Sequence, residues 1–298
     1  MVRIVISQMA LKVGLSRTLL TGLEVEYQMR LQAEEALNTE LNKLFSAAEK
    51  KTLRQFLKTY NPDDILSYQV HDILQPVYDL EPKYTDTVLY ENIRTFRRSR
   101  KFTLNLINLQ LGRDEQLTLF DYDQKVYDHL ARQTFTASAR TMRRVTDNIK
   151  YNIAQSYQEG IGIKDAARRL QKEFNSLKTF EARRIARTEI NSAQNLGSYQ
   201  TYMDYDLEYH QWWTGQDARV RDSHRAMHGE IVEVGRQFSN GLYYPGDRSG
   251  PLNEWINCRC TTVPYLMPLG YMAPPVMSRF KEVDIVRIPG FEIPRIIL

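Results

Sequence analysis

A chain of 298 residues, 42% hydrophobic and 26% charged, is long and apolar enough to bury a sizeable core, which excludes a wholly disordered protein and allows one large domain or two ordinary ones. A net charge of +4 is too mild to identify a partner, and only two cysteines exclude a disulfide-built secreted scaffold. The N-terminal stretch "MVRIVISQMALKVGL" is broken by Gln8 and Lys12, no A-x-A site follows it, and no run nears the ~20 apolar residues of a membrane span, so no signal peptide and no membrane segment are expected, and the protein is read as made in a reducing cytoplasm or packaged from one.

Residues 32–60 read as helix, because Leu37, Leu41, Leu44, Phe45 and Ala48 recur at helical spacing. "YNPDD" ends that segment, and Asp63 or Asp64 could cap a helix running towards His71. Pro76 and Pro82 then suggest a loop or a kinked connection. A second helical stretch from Thr85 to about Asn108 carries "RTFRRSRK", five basic residues in eight. "LGRDEQ" reads as a turn and "LTLFDYD" as a strand or extended arm.

A long helix is expected from about Asp123 to Glu159, with Met142, Val145, Ile149 and Ile153 as its apolar stripe. Gly160 is the expected C-cap, and Asp165 a candidate cap for the helix in "KDAARRLQKEF". "NSLKTF" reads as a connection into a further helix, "EARRIARTEINSAQNLGSYQTYMDYD". Between Ala131 and Arg187 the chain has 13 Lys or Arg against 5 Asp or Glu. A solvated helix face is the plainer reading, and contact with a polyanion the sharper one. Arg94, Arg97, Arg98, Arg143, Arg144, Arg168 and Arg169 are the candidate nucleic-acid contacts.

The texture changes near Leu207. "EYHQWW" is aromatic and β-prone, and from Leu207 to Pro264 the chain is rich in glycine and holds all three tryptophans. It is expected to form a compact β or irregular unit. Beyond it a proline-rich tail reads as an extended arm. The fold class is therefore α+β and mainly helical, with a helical N-terminal half, long helices, a Gly- and Trp-rich unit and an extended C-terminal tail.

Both cysteines lie in "NEWINCRC". The spacing of Cys258 and Cys260 is poor for a disulfide between the two. His224 and His228 form an H-x3-H pair upstream, and positions i and i+4 of a helix share a face. Two histidines and two cysteines within 37 residues could complete a tetrahedral zinc site. The alternative is two small buried cysteines and two hydrogen-bonded histidines. Glu189, in "ARTE", needs a cation if it is buried, with Arg219 and Arg221 as candidates. Arg259 should point away from the cysteines and pair with Asp217 or Glu189. The chain has no Gly-rich phosphate loop, G-x-S-x-G elbow or H-E-x-x-H.

The ordered set "EGIGIKDAARRLQKEF", "ARRIARTEINSAQN", "WWTGQDARVRDSHRAMHGE", "YPGD" and "PLNEWINCRCTTVPY" resembles the phage Mu F-like domain of minor head proteins in tailed bacteriophages. The resemblance covers roughly residues 130–266. It implies three regions: a helical N-terminal region, 1–129, for portal or capsid contact, the Mu F-like head morphogenesis domain, 130–266, and a proline-rich arm, 267–298. By the resemblance Asp217, Arg219, His224, Gly229, Asn257, Cys258, Arg259 and Cys260 occupy signature positions, and Asp217 or Asp247 could take the place of His228 at a metal. It further implies a non-enzymatic protein of the virion, inside the capsid near the portal. Its partners would be the portal, the major capsid or scaffold protein and packaged double-stranded DNA. Two enzymatic readings compete with it. One is an HNH-like metal-dependent nuclease using His224, His228 and Asn257, and the other an ADP-ribosyltransferase-like toxin.

Overall fold

The computed structural model describes residues 17–61, 67–111 and 124–291. The chain is α+β and mainly helical, with a four-stranded antiparallel sheet and a separate two-stranded one among the described residues. Six longer helices come first: α1 (Arg17–Thr59), α2 (Ser67–Tyr78), α3 (Leu80–Leu111), α4 (Gln124–Gln158), α5 (Ile163–Ser176) and α6 (Ala182–Asp204). Then follow β1 (Tyr209–Trp213), α7 (Asp222–Ala226), β2 (Ile231–Glu233), α8 (Leu252–Trp255), β3 (Thr261–Tyr265), β4 (Tyr271–Met272), β5 (Arg279–Phe280) and β6 (Val286–Arg287).

The helices exceed their sequence-based bounds for identifiable reasons. α1 is already helical at Arg17, well before residue 32, because residues 17–31 hold no breaker except Gly22. That glycine is used for close approach, since a Cβ there would lie 2.5 Å from a Leu106 methyl carbon. Pro76 sits in the last turn of α2, and Pro82 in the first turn of α3, where the missing N–H has no helical partner anyway. Only Asp79 separates those helices, so the expected loop is absent. Gly160 does close α4 with φ +59°. Gly162 is the N-cap of α5, while Asp165 lies in its first turn and pairs with Arg168. "NSLKTF" is no connection. Residues Leu177–Glu181 make one π-helical turn that carries α5 into α6, because nothing in the segment is Gly or Pro and Leu177 is buried. The segments read as "LGRDEQ" after Leu111, as "LTLFDYD", as the N-terminal stretch to Leu15 and as the Asp63 or Asp64 cap lie outside the described residues.

The chain divides into two units. One draws its described residues from Gln32–Ile93 and Tyr122–Ala186. It is all helical. Leu37, Leu41 and Phe45 of α1, Ile73 and Val77 of α2, Ile149 and Ile153 of α4 and Phe174 of α5 are fully or almost fully buried. Each contributes about 1.5–3 kcal/mol by leaving water. Tyr60 ties the unit's ends together, donating to the carbonyls of Ser156 (3.1 Å) and Ile161 (2.9 Å).

The other unit draws on Met1–Leu31, Arg94–Asp121 and Arg187–Leu298. Its sheet has the order β3-β1-β2-β5, antiparallel throughout, with Tyr209 opposite Tyr265 and His210 opposite Val232. β1 is buried at all five positions, so both of its faces are covered. Trp212 joins Met227, Val232, Phe238, Leu242 and both cysteines on one face. Trp213 joins Leu23, Leu106 and Val263 on the other. Within the tail, β5 is an edge strand of this sheet, and β4 pairs with β6 through Tyr271 opposite Arg287.

Candidate metal centre

His224, Cys258 and Cys260 converge. They are 1%, 1% and 2% exposed, and one ligand atom from each lies within 4.8 Å of the others. Neither cysteine is in a disulfide. His224 Nδ1 is 3.6 Å from Cys258 Sγ and 3.4 Å from Cys260 Sγ. Its Nε2 is 3.0 Å from Glu254 Oε2. The imidazole packs edge-on to Trp212, with centroids 5.2 Å apart and planes at 78°.

Local backbone explains the convergence. α7 places His224 one turn from its start. After α8 the chain reverses at Asn257, whose φ is +54°, a left-handed value that Asn tolerates better than most residues. Cys258 follows at once, and the Cys260 N–H turns back to its sulfur at 3.4 Å. Arg259 points the other way and grips Asp217 with two bonds of 2.5 and 2.6 Å, which hold the Asp217 carboxyl below its ordinary value. Asp217 also accepts the Arg219 N–H at 2.9 Å, which orders the loop before α7, while the Arg219 side chain is exposed. Gly229 has φ +80° and donates its N–H to the Trp212 carbonyl.

α6 supports this segment from behind. Thr188 Oγ1 accepts the Asn257 N–H at 2.9 Å, and Arg187 donates to the Asn257 side chain at 3.2 Å. Asn195 donates to the Cys260 carbonyl at 3.2 Å and accepts the Thr262 N–H at 2.9 Å. Ser192 bonds the Gly246 carbonyl at 2.8 Å. Glu189 is buried and does have a cation, but it is Arg248, at 2.6 Å, rather than Arg219 or Arg221. Arg221 instead donates to the Ile256 carbonyl.

Three readings from the sequence are corrected. His228 stands apart from the other three side chains, because α7 ends at Ala226 and the i, i+4 alignment is lost. Its Nδ1 accepts the Thr214 N–H at 3.2 Å, its Nε2 meets Gln216, and burial lowers its pKa to about 4. Asp247 is occupied by Tyr243 and Ser249. His224, His228 and Asn257 do not share a pocket of the nuclease kind, since Asn257 is exposed and turned to Arg187. Sequence reasoning also missed Glu254, Arg248, Thr188, Ser192 and Asn195. For three of them a signal was there, because 188, 192 and 195 recur at helical spacing.

Electrostatics bind the cluster together. Burial by itself would lower the His224 pKa, but the hydrogen bond and charge of Cys258, with Glu254, outweigh it and raise the value above 6.5. Cys258 is held well down by its hydrogen bond with Cys260 and then by His224, while Cys260 is pushed well up by its hydrogen bond with Cys258 and by burial. The geometry suits a metal ion. With Zn–S near 2.3 Å and Zn–N near 2.0–2.1 Å, a tetrahedral ion sets N and S about 3.5–3.6 Å apart, and the two observed separations bracket that value. A single Nδ1 proton cannot be aimed well at two sulfurs, whereas one cation serves both. A Cys–His–Glu nucleophile is the other chemistry that these atoms could offer. It would need an open sulfur, and both are buried.

The arginines read as polyanion contacts are only in part turned outward. Arg94, Arg97 and Arg98 on α3 and Arg143 on α4 are exposed. Arg144 pairs with Glu181 at 2.6 Å, Arg168 with Asp165 at 3.0 Å and Arg169 with Glu159 at 2.5 Å. Among the described residues no helix is long and apolar enough to cross a membrane.

Comparison with known proteins agrees with the motif order. The family described as phage Mu protein F like protein matches residues 147–263, a span that holds the whole cluster. An uncharacterized protein of Methanocaldococcus jannaschii is 28% identical over 151 residues, covering 47% of this chain and 22% of that protein. The chain thus spans about a fifth of the relative's length. No solved structure matches. Residues 147–263 of this chain are thus similar to the family described as phage Mu protein F like protein, which supports a phage Mu F-like protein.

Proposed function

We propose that the chain is a minor head protein of a tailed phage virion, associated with the portal and acting in head morphogenesis and DNA packaging or delivery. The observation that carries the reading is the family match over 147–263, which encloses every signature position from Asp217 to Cys260. On this reading the N-terminal region contacts portal or capsid and residues 130–266 form the head morphogenesis domain, while the described part of the C-terminal arm is not extended but closes the edge of the chain's own sheet through β5. The role is structural rather than enzymatic. Heads assembled with and without portal test the link: the protein should be present in the first and missing from the second, and equal incorporation in both refutes portal association.

Within this function, His224, Cys258 and Cys260 serve as a structural metal clip with zinc as its ion. The separations of Nδ1 from the two sulfurs support it. Among the described residues the cluster offers three ligands. When bound, the ion supplies a cross-link between α7 and the segment after α8. Metal analysis of the purified chain should find about one zinc per molecule, and chelation should lower the stability of the Gly- and Trp-rich unit. Zinc far below one equivalent, with no effect of chelator, sinks the clip.

DNA contact is assigned separately on each unit, to Arg94, Arg97 and Arg98 on one and Arg143 on the other, all exposed. Such contact would be weak, salt-sensitive and indifferent to sequence.

A further inference from the structure

We propose that Glu254 is a positioning residue for this centre: it takes the Nε2 proton of His224 and thereby turns the Nδ1 lone pair onto Cys258 and Cys260. The inference rests on the metal-clip reading and adds to it the residue that makes the imidazole a ligand.

A carboxylate offers only acceptors, so the ring nitrogen 3.0 Å away must be the one that carries hydrogen. In a neutral imidazole the other nitrogen is then the acceptor, and that nitrogen is the one facing both sulfurs. Nothing else around the ring would choose the tautomer as firmly. Trp212 packs edge-on against it and fixes its plane, not its proton.

Glu254 is itself held in place. Its side chain is 13% exposed, Oε2 accepts from Asn240 Nδ2 at 3.3 Å, and Oε1 accepts from Asn253 Nδ2 at 3.1 Å. It lies in α8, and the left-handed turn at Asn257 leads from that helix straight to Cys258. One stretch of seven residues therefore carries the orienter of the histidine and both sulfurs, so their mutual placement is fixed by local chain geometry. A metal-bound imidazole commonly donates its second N–H to a carboxylate, which fixes the ring and raises its basicity. Charge favours the same arrangement, because two thiolates only neutralise a divalent ion and the carboxylate adds electron density to the third ligand.

The test is zinc affinity of the full chain, measured by competition with a chromogenic chelator, for the native protein, Glu254→Leu and Glu254→Gln. Loss of a carboxylate of this kind costs about 10–100-fold in metal affinity. Glu254→Leu should fall in that range, while Glu254→Gln, which keeps an acceptor for Nε2–H but not the charge, should lose less. Thermal unfolding of the metal-free forms should change little, because an ordinary structural role would move that temperature rather than the affinity. Long-range 1H–15N spectra of the zinc-loaded native chain should show His224 metallated at Nδ1 and protonated at Nε2. Glu254→Leu within twofold of native affinity, or zinc on Nε2 in the native chain, overturns the proposal while leaving the clip intact. Should Glu254→Leu fail to fold, Glu254→Gln decides, and affinity within twofold of native overturns the role of the carboxylate. A native chain that takes up no zinc overturns the clip itself, and the positioning role with it.

Discussion

Glu26 is a carboxylic acid in the wrong place for a charge. It is 5% exposed, on a stretch of α1 that faces Ser198, whose hydroxyl lies 3.4 Å from its Oε1. Burial pushes its pKa from 4.5 to about 7, against the smaller opposing pull of Arg30 and of hydrogen bonds from Gln194 and Ser198. The folded state therefore keeps a proton that the unfolded chain releases above pH 4.5. Its contribution to stability is full below 4.5 and is lost as pH rises towards 7. The gap between 4.5 and about 7, at about 1.36 kcal/mol per pH unit, is worth roughly 3 kcal/mol. Glu26→Gln keeps the shape and an acceptor but cannot ionise. In denaturant unfolding of both proteins from pH 4 to 8, the variant should match the native chain near pH 4 and exceed it by roughly 3 kcal/mol at pH 8. A difference that does not change with pH would show that Glu26 titrates as an ordinary surface acid and that the burial argument is wrong.

His210 should act at the other end of the scale. Burial lowers its pKa to about 3, so the unfolded chain gains a proton below pH 6.5 that the folded one refuses, and stability falls as pH drops from 6.5 towards 3. His210→Asn should flatten that acid limb in an unfolding series, and an equally steep limb in the variant would assign it to other groups. Gly246→Ala should cost about 2–4 kcal/mol by chemical unfolding, since φ is +88° and a Cβ would meet the Ser192 Cα at 2.9 Å. Gly235→Ala, at φ +94° but with nothing within 4 Å, should cost only about 1 kcal/mol, and equal losses at both sites would remove the close-approach argument. For DNA, Arg98→Gln with Arg143→Gln should lower the salt slope of binding by roughly 1–2. Arg144→Gln and Arg169→Gln should leave it nearly unchanged, because those guanidiniums pair with Glu181 and Glu159. The reverse pattern would mean that these ion pairs open on DNA.

Much of the fold could be read from periodicity. The stripe Met142, Val145, Ile149 and Ile153 is buried as its spacing predicts, and Gly160 ends α4 with the positive φ that a C-cap needs. Helix ends were less legible where local rules compete. Pro76 and Pro82 look like breakers, yet each stands where a helix loses little by a missing N–H or tolerates one bend. The site was legible in its residue types but not in its membership. His224 and His228 look equivalent on a helix, and only the early end of α7 separates them. Arg248 as partner of Glu189 could not be inferred, because that pairing depends on how the loop between β2 and α8 folds back, and no local pattern encodes it. Glu254 was hidden for a different reason. An acidic residue in a single-turn helix is ordinary, and it becomes informative only when an imidazole lies across from it.

The polar face of α6 is the other lesson of the site. A helix buried around most of its surface would be expected to be apolar, yet Thr188, Glu189, Asn191, Ser192, Gln194, Asn195 and Ser198 are all buried. The reason lies in what packs on it. β1 and β3 have five residues each, the other strands two or three, and α7 and α8 are single turns, so the unit has few ladder bonds of its own and many loop carbonyls and N–H groups with no partner in regular structure. Each such group, if buried and unsatisfied, costs about 1–3 kcal/mol. α6 meets them one by one: the N–H of Asn257 by Thr188, the carbonyl of Gly246 by Ser192, and the carbonyl of Cys260 with the N–H of Thr262 by Asn195. A side chain of fixed length on a rigid helix places its loop partner to within a hydrogen-bond distance, which an apolar contact does not. The segment that carries Cys258 and Cys260 is therefore held at three points before any ion is considered, and a centre assembled from α7 and that segment starts from ligands already at the right spacing.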